Sequence, residues 1–122
     1  MTTINIGAQT IDDIITKNNI VLIDWWAEWC GPCKMFGPIY EKVSEKHPEI
    51  VFAKVDTEAE QQLAASAQIQ SIPTLMAFKD QVLIFSQAGA LQELQLDQLI
   101  QAIKDVDMDE VRKQIATENK AE

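Results

Sequence analysis

Apolar and polar positions alternate along this chain with two periods, and their order outlines a fold. Residues 3–6, Thr3-Ile4-Asn5-Ile6, alternate as a short half-buried strand does. Thr10 stands at a capping position ahead of Ile11, Ile14 and Ile15, which share one face of a helix. Asn18-Asn19 ends that helix, and Ile20–Trp26 is then apolar at every position but Asp24. A continuous run of this length predicts a central strand covered on both faces. Helical spacing returns at Cys33, with Met35, Phe36, Ile39, Tyr40 and Val43 on one side until His47-Pro48 stops it; Pro38 inside it predicts a kink. Residues 50–55 form the next strand, with Lys54 near its end. Thr57 and Glu60 then have capping-box spacing before a helix carrying Leu63 and Ala64. Ser71-Ile72-Pro73-Thr74 breaks the chain before a strand at 75–78. Lys79-Asp80-Gln81 turns that strand into 82–85, predicting an antiparallel hairpin. After Ala88-Gly89-Ala90, a stripe of Leu96, Leu99, Ile100 and Ile103 predicts another helix.

The order βαβαβα followed by ββα predicts an α/β fold, a mixed central β-sheet flanked by helices on both faces. Beyond residue 105, Met108, Val111 and Ile115 fall on one side of an extra C-terminal helix. A helix that short is marginal alone, so it is expected to dock on its own domain. The organisation read from the sequence is therefore one domain at 1–105 and a helical extension at 106–122.

The chain's 122 residues suffice for one domain with its own core. No apolar run approaches the ~18 residues that span a bilayer. Met1-Thr2-Thr3 lacks the basic and apolar regions of a secretory leader, so a cytoplasmic location without membrane association is expected. A net charge of −9 argues against nucleic acid as a partner, since binding a phosphate backbone needs clustered Lys and Arg.

The chain has two cysteines, both in Trp29-Cys30-Gly31-Pro32-Cys33-Lys34. A C-x-x-C pair close to a βαβ pattern reads as a redox motif. A structural zinc site takes about four ligands, which two cysteines and the lone His47 cannot supply, so no metal is expected. Cys30 precedes the helix, where orphan N–H groups and the helix dipole favour a thiolate; it is the candidate nucleophile. Cys33, one turn further in, is expected to be the more buried of the two and to act as the resolving thiol. Gly31 permits close approach of another backbone, and Pro32 fixes φ at the helix start. Asp24 is costly to bury unless paired or protonated, and Lys54 is its expected partner. A buried acid with a raised pKa could accept the Cys33 proton and return it.

Asp24-Trp25-Trp26-Ala27-Glu28-Trp29-Cys30-Gly31-Pro32-Cys33-Lys34, followed by Ile72-Pro73-Thr74 and Gly89, closely resembles the thioredoxin family. The resemblance implies the thioredoxin fold and a general protein-disulfide reductase working by a Cys-Gly-Pro-Cys exchange cycle. It implies recharging by thioredoxin reductase, disulfide-containing client proteins as partners, no bound cofactor and a monomer. It also implies a cis Ile72–Pro73 bond and a hydrophobic groove of Trp29, Gly31, Pro32, Ile72, Pro73 and Gly89, where client backbone pairs near Pro73. The Gly-Pro dipeptide is similar to that of thioredoxins proper rather than to that of disulfide isomerases or oxidases. The alternative is a binding module or subunit that uses the same groove, with redox activity incidental. Three features depart from the family pattern. The turn at 79–81 lacks a glycine and looks one residue shorter, Trp25 stands where phenylalanine is common, and the segment after 105 has no counterpart in the minimal fold.

Overall fold

A strand that is apolar on both sides is stable only between two layers, and Ile20–Trp26 (β2) lies at the centre of a five-stranded sheet. The computed structural model describes residues 2–121, with side chains to residue 118. The elements in chain order are β1 (Thr3–Asn5), α1 (Ile11–Lys17), β2, α2 (Gly31–Ser44), β3 (Val51–Asp56), α3 (Gln61–Ser66), β4 (Thr74–Lys79), β5 (Val82–Ala88), α4 (Glu93–Asp105) and α5 (Met108–Ala121). The sheet order is β1-β3-β2-β4-β5. β3 runs parallel to β1 and β2, whereas β4 is antiparallel to both β2 and β5.

Alternation along β2 divides the core in two. Ile20 and Leu22 face α2 and α4, meeting Phe36, Tyr40, Val43, Leu96, Ile100 and Ile103. Val21, Ile23 and Trp25 face α1 and α3, meeting Ile11 and Ala64. Asp24 has the parity of Leu22 and so lies in the α2 layer. The mixed sheet with helices on both faces is as the hydrophobic pattern predicts.

Local signals fared less evenly. The Thr57–Glu60 capping box does not form: α3 begins at Gln61 without a side-chain cap. The Thr57 hydroxyl instead donates to the Trp26 carbonyl at 3.0 Å, and the Glu60 carboxylate accepts from the Ala8 N–H at 2.9 Å. Tertiary partners outcompeted the local ones. Thr10 occupies the N-cap of α1, but its hydroxyl accepts from the Gly7 N–H rather than from the helix. α2 begins at Gly31 and runs through Pro38 as one element. Side-chain capping is found at α4, where the Gln92 N–H donates to Gln95 Oε1 at 3.0 Å.

Lys79, read from sequence as part of a turn, is the last residue of β4 and is buried. Its ammonium donates to the carbonyls of Ile103, Lys104 and Val106 at 3.0, 2.8 and 2.9 Å, satisfying the C-terminal end of α4. The turn itself is Asp80-Gln81, with φ of 51° and 70° at its two central residues. Two-residue hairpins favour that left-handed pair, which glycine usually supplies. Here Asp80 is tied down: its N–H donates to the Asn19 carbonyl, and its carboxylate accepts from the Asn19 amide and from Arg112.

Asp107 caps α5, its Oδ1 accepting from the N–H groups of Asp109 and Glu110. Met108 is buried and Val111 half-buried, but Ile115 is exposed, so only the first part of the expected stripe packs on the domain. β5 ends the sheet, and among the described residues no other strand pairs with its outer edge.

Candidate active site

The apolar strand β2 ends at Trp26, and the chain passes through Ala27 and Cys30, both buried, into α2. Cys30 and Cys33 are joined by a disulfide with their Cα atoms 5.2 Å apart. Cys30 is the N-cap of α2: its sulfur accepts the Cys33 N–H at 3.2 Å, with Gly31 and Pro32 forming the first helical positions. The sulfur therefore sits among the orphan donors of the helix start. The expected difference in burial between the cysteines is absent, since Cys30 is 4% and Cys33 5% exposed. The loop before β4 leans over the bond, placing the Ile72 carbonyl 3.7 Å from Cys30 Sγ and excluding solvent from Cys30.

In the α2 layer, Asp24 is 1% exposed, and neither carboxylate oxygen has a hydrogen-bond partner among the described residues. Burial pushes its pKa from 3.8 up to about 7, against a lowering by the positive charge of Lys54. Lys54 is the register neighbour of Asp24 across the parallel β2–β3 pair. The two do not form a close ion pair; the Lys54 ammonium lies 5.0 Å from the Trp26 ring centroid. The expected pairing of Asp24 with Lys54 is therefore an electrostatic one at a distance. A cavity of about 280 Å³ opens between Cys33 and Lys54, lined also by Trp26, Ala27 and Pro38.

The Ile72–Pro73 bond is cis. The Gly89 N–H donates to the Pro73 carbonyl at 2.8 Å, and the Gly89 φ of 112° is one that side chains rarely adopt. A Cβ built at Gly31 would meet nothing, so that side of the motif stands open. Trp29 is 69% exposed, and its indole N–H donates to Glu58 at 2.8 Å.

The thioredoxin family model matches residues 2–115. A putative thioredoxin 2 from Streptomyces coelicolor is 53% identical over 93% of this chain and 85% of its own length. A thioredoxin from Mycoplasmoides gallisepticum is 33% identical over 74% of this chain and 90% of its own. Among solved structures, a variant thioredoxin from Halobacterium salinarum superposes with a TM-score of 0.79 at 32% identity, covering 86% of this chain and 93% of that one. The chain belongs to the thioredoxin family. As a family member with a Cys30–Cys33 pair at disulfide distance, it is a thiol–disulfide oxidoreductase of the thioredoxin type, acting on protein disulfides. Among the described residues no helix is long and apolar enough to cross a membrane.

Sequence reasoning missed two residues of this thioredoxin site. Glu58 holds Trp29, and the only local hint was an acid two residues past the β3 end. Tyr40, fully buried in the α2 layer, donates to the Ala53 carbonyl at 2.8 Å. Burial and the nearby Asp24 charge push its phenol pKa well above the ordinary value. Helical spacing marked Tyr40 as core, but nothing in the sequence marked its hydroxyl.

Proposed function

We propose that Cys30 is the nucleophile, Cys33 the resolving thiol and Asp24 the group that takes the Cys33 proton. The observation that carries this reading is a disulfide capping a helix, with a buried, unpartnered carboxyl in the layer beneath. In the reduced protein, Cys30 at the start of α2 is favoured as thiolate. It attacks one sulfur of a client disulfide, forming a mixed disulfide and releasing the other client sulfur as a thiolate that takes up a solvent proton. Asp24, with a pKa of about 7, removes the Cys33 proton through a water carrier. The Cys33 thiolate attacks Cys30 Sγ, closing the intramolecular disulfide and expelling the second client thiolate, which also takes up a proton. Two electrons pass to the client, and Asp24 then returns its proton to solvent. Lys54 limits how far the Asp24 pKa rises.

Client polypeptide binds in the groove of Trp29, Gly31, Pro32, Ile72, Pro73 and Gly89. Broad specificity follows, because main-chain bonds ignore side-chain identity. Thioredoxin reductase restores the dithiol, and the protein works as a cytoplasmic monomer. Residues 106–122 form an extension that takes no part in the chemistry.

Cys33→Ser tests the division of labour. It should accumulate stable mixed disulfides with clients through Cys30, which mass mapping identifies. Accumulation through position 33 in the Cys30→Ser variant, and not in Cys33→Ser, would reverse the roles. A cellular role retained by the Cys30→Ser/Cys33→Ser double variant would favour the binding-module reading instead.

A further inference from the structure

On the α1–α3 side of the sheet, β5 contributes no residue to the core. The β4–β5 register places Thr74 beside Ala88, Met76 beside Ser86 and Phe78 beside Leu83; on this face Met76 and Phe78 meet the α1–α3 core, while Leu83, Ser86 and Ala88 stay exposed. The connection from α3 to β4 rises along it, and between the two lies an open cleft of about 390 Å³. Its eleven lining residues include no charged side chain, although 24% of the whole chain is charged. Met76 and Leu83, the latter 46% exposed, give it an apolar floor; Gln68, Gln70 and Ser86 supply neutral hydrogen-bonding groups. The cleft runs directly into the groove beside the disulfide. Ser71 and Thr74 bracket Ile72-Pro73, and Ala88 precedes Gly89, whose N–H is bonded to the Pro73 carbonyl.

We propose that this cleft is a second client subsite, taking an uncharged extended segment on one flank of the client cysteine. The proposal rests on the client-groove reading above and adds a rule of selection to it. A charged side chain laid on Met76 and Leu83 would lose hydration and find no counter-charge. On the other side of β2, the cleft beside Trp29 is lined by charged groups of both signs, Glu28, Lys34, Asp56 and Glu58. The two flanks of a client segment therefore meet different chemistry, and tolerance of charge is one-sided.

Synthetic peptides test this, each with a single cysteine joined by a disulfide to a small thiol. Residues two to five positions from the cysteine are Gln and Ser, or carry Glu or Lys, on one flank at a time. With intact protein and dithiothreitol as reductant, charge on one flank should lower kcat/KM about tenfold, and charge on the other less than about threefold. Ser86→Lys should then shift the Glu-to-Lys peptide ratio on the sensitive flank about tenfold toward Glu, and Ser86→Glu should shift it the opposite way. Because each ratio is internal to one protein, a loss common to all peptides cancels. Equal sensitivity on both flanks, or a ratio unmoved by both Ser86 variants, overturns the subsite while leaving the reductase reading in place. Failure to reduce even the neutral peptides overturns the reductase reading and the subsite with it.

Discussion

At the Trp26 end of β2, the Asp24 carboxylate and the indole N–H groups of Trp25 and Trp26 are buried without hydrogen-bond partners among the described residues. At the Ile20 end, Lys79 makes three hydrogen bonds to the last carbonyls of α4 and its linker, and Asp80 engages Asn19 and Arg112. One strand thus joins an under-satisfied pole to a well-tied one. A buried polar group left unpaired costs about 1–3 kcal/mol, more if charged. The proposed proton exchange at Asp24 belongs to the pole that bears that cost, since a carboxyl fully paired and solvated would stay ionised near neutral pH. The opposite pole holds the hairpin, the end of α4 and the start of α5 together.

Substitutions at the two poles should separate activity from stability. The largest effect is expected from Cys30→Ser, which removes disulfide turnover altogether, as insulin-type reduction assays would show. Serine can still accept the Cys33 N–H as an N-cap, so the thermal midpoint of the reduced form should change by less than ~1 kcal/mol equivalent.

Asp24→Asn should affect both quantities, in opposite directions. The folded pKa of about 7 exceeds the unfolded value near 3.8, so the native state holds the proton more tightly. The stability contributed by protonation is full below about pH 3.8 and is lost as pH rises through 7. Above that the wild type carries a penalty of up to ~4 kcal/mol, which asparagine lacks. The variant should therefore be the more stable protein at pH 8 and close to wild type near pH 4, while its turnover at neutral pH falls about tenfold. Denaturant unfolding at both pH values and a pH–rate profile measure the two effects. Unchanged rates at every pH would remove Asp24 from the mechanism.

At the other pole, Lys79→Met should cost roughly 3 kcal/mol by orphaning the α4 carbonyls, with little change in reduction of a small disulfide. Comparable losses of activity and stability would mean that the poles are not separable. The smallest effect belongs to deletion of residues 106–122. Met108 is the one fully buried side chain of the expected stripe, and ordering the helix opposes its gain, so ~1 kcal/mol, or about 4 °C in Tm, should be lost. If melting is unchanged but reduction of a native client collapses, the extension is a docking element.

The same contrast explains what could be read from the sequence. Ile20–Trp26 and the Leu96–Ile103 stripe were legible because burial on both faces, or on one helical face, imposes a period on the residues themselves. The cysteine motif was legible because its chemistry is local. Lys79 was not: a lysine beside Asp80 looks like a turn until the end of α4 and its linker, two dozen residues later, bring three carbonyls to it. The Thr57–Glu60 spacing misled for the opposite reason, since partners distant in sequence claimed both side chains. The burial of Cys30 likewise depends on the loop at Ile72, which no pattern around Cys30 reveals.

The free edge of β5 bears on how crowded a solution this protein tolerates. Between Asp80 and Glu93 the chain has no charged residue, so the outermost strand carries none of the lysines or prolines that usually deter edge-to-edge pairing. Protection falls to the rest of the molecule, whose net charge of −9 keeps copies apart by mutual repulsion. That repulsion weakens as acid protonates the carboxylates or as salt screens them over a Debye length of about 8 Å at physiological ionic strength. Colloidal stability is therefore a property of the whole surface lent to one strand. Light scattering should rise steeply on mild acidification, well before the far-UV signal of the folded chain is lost.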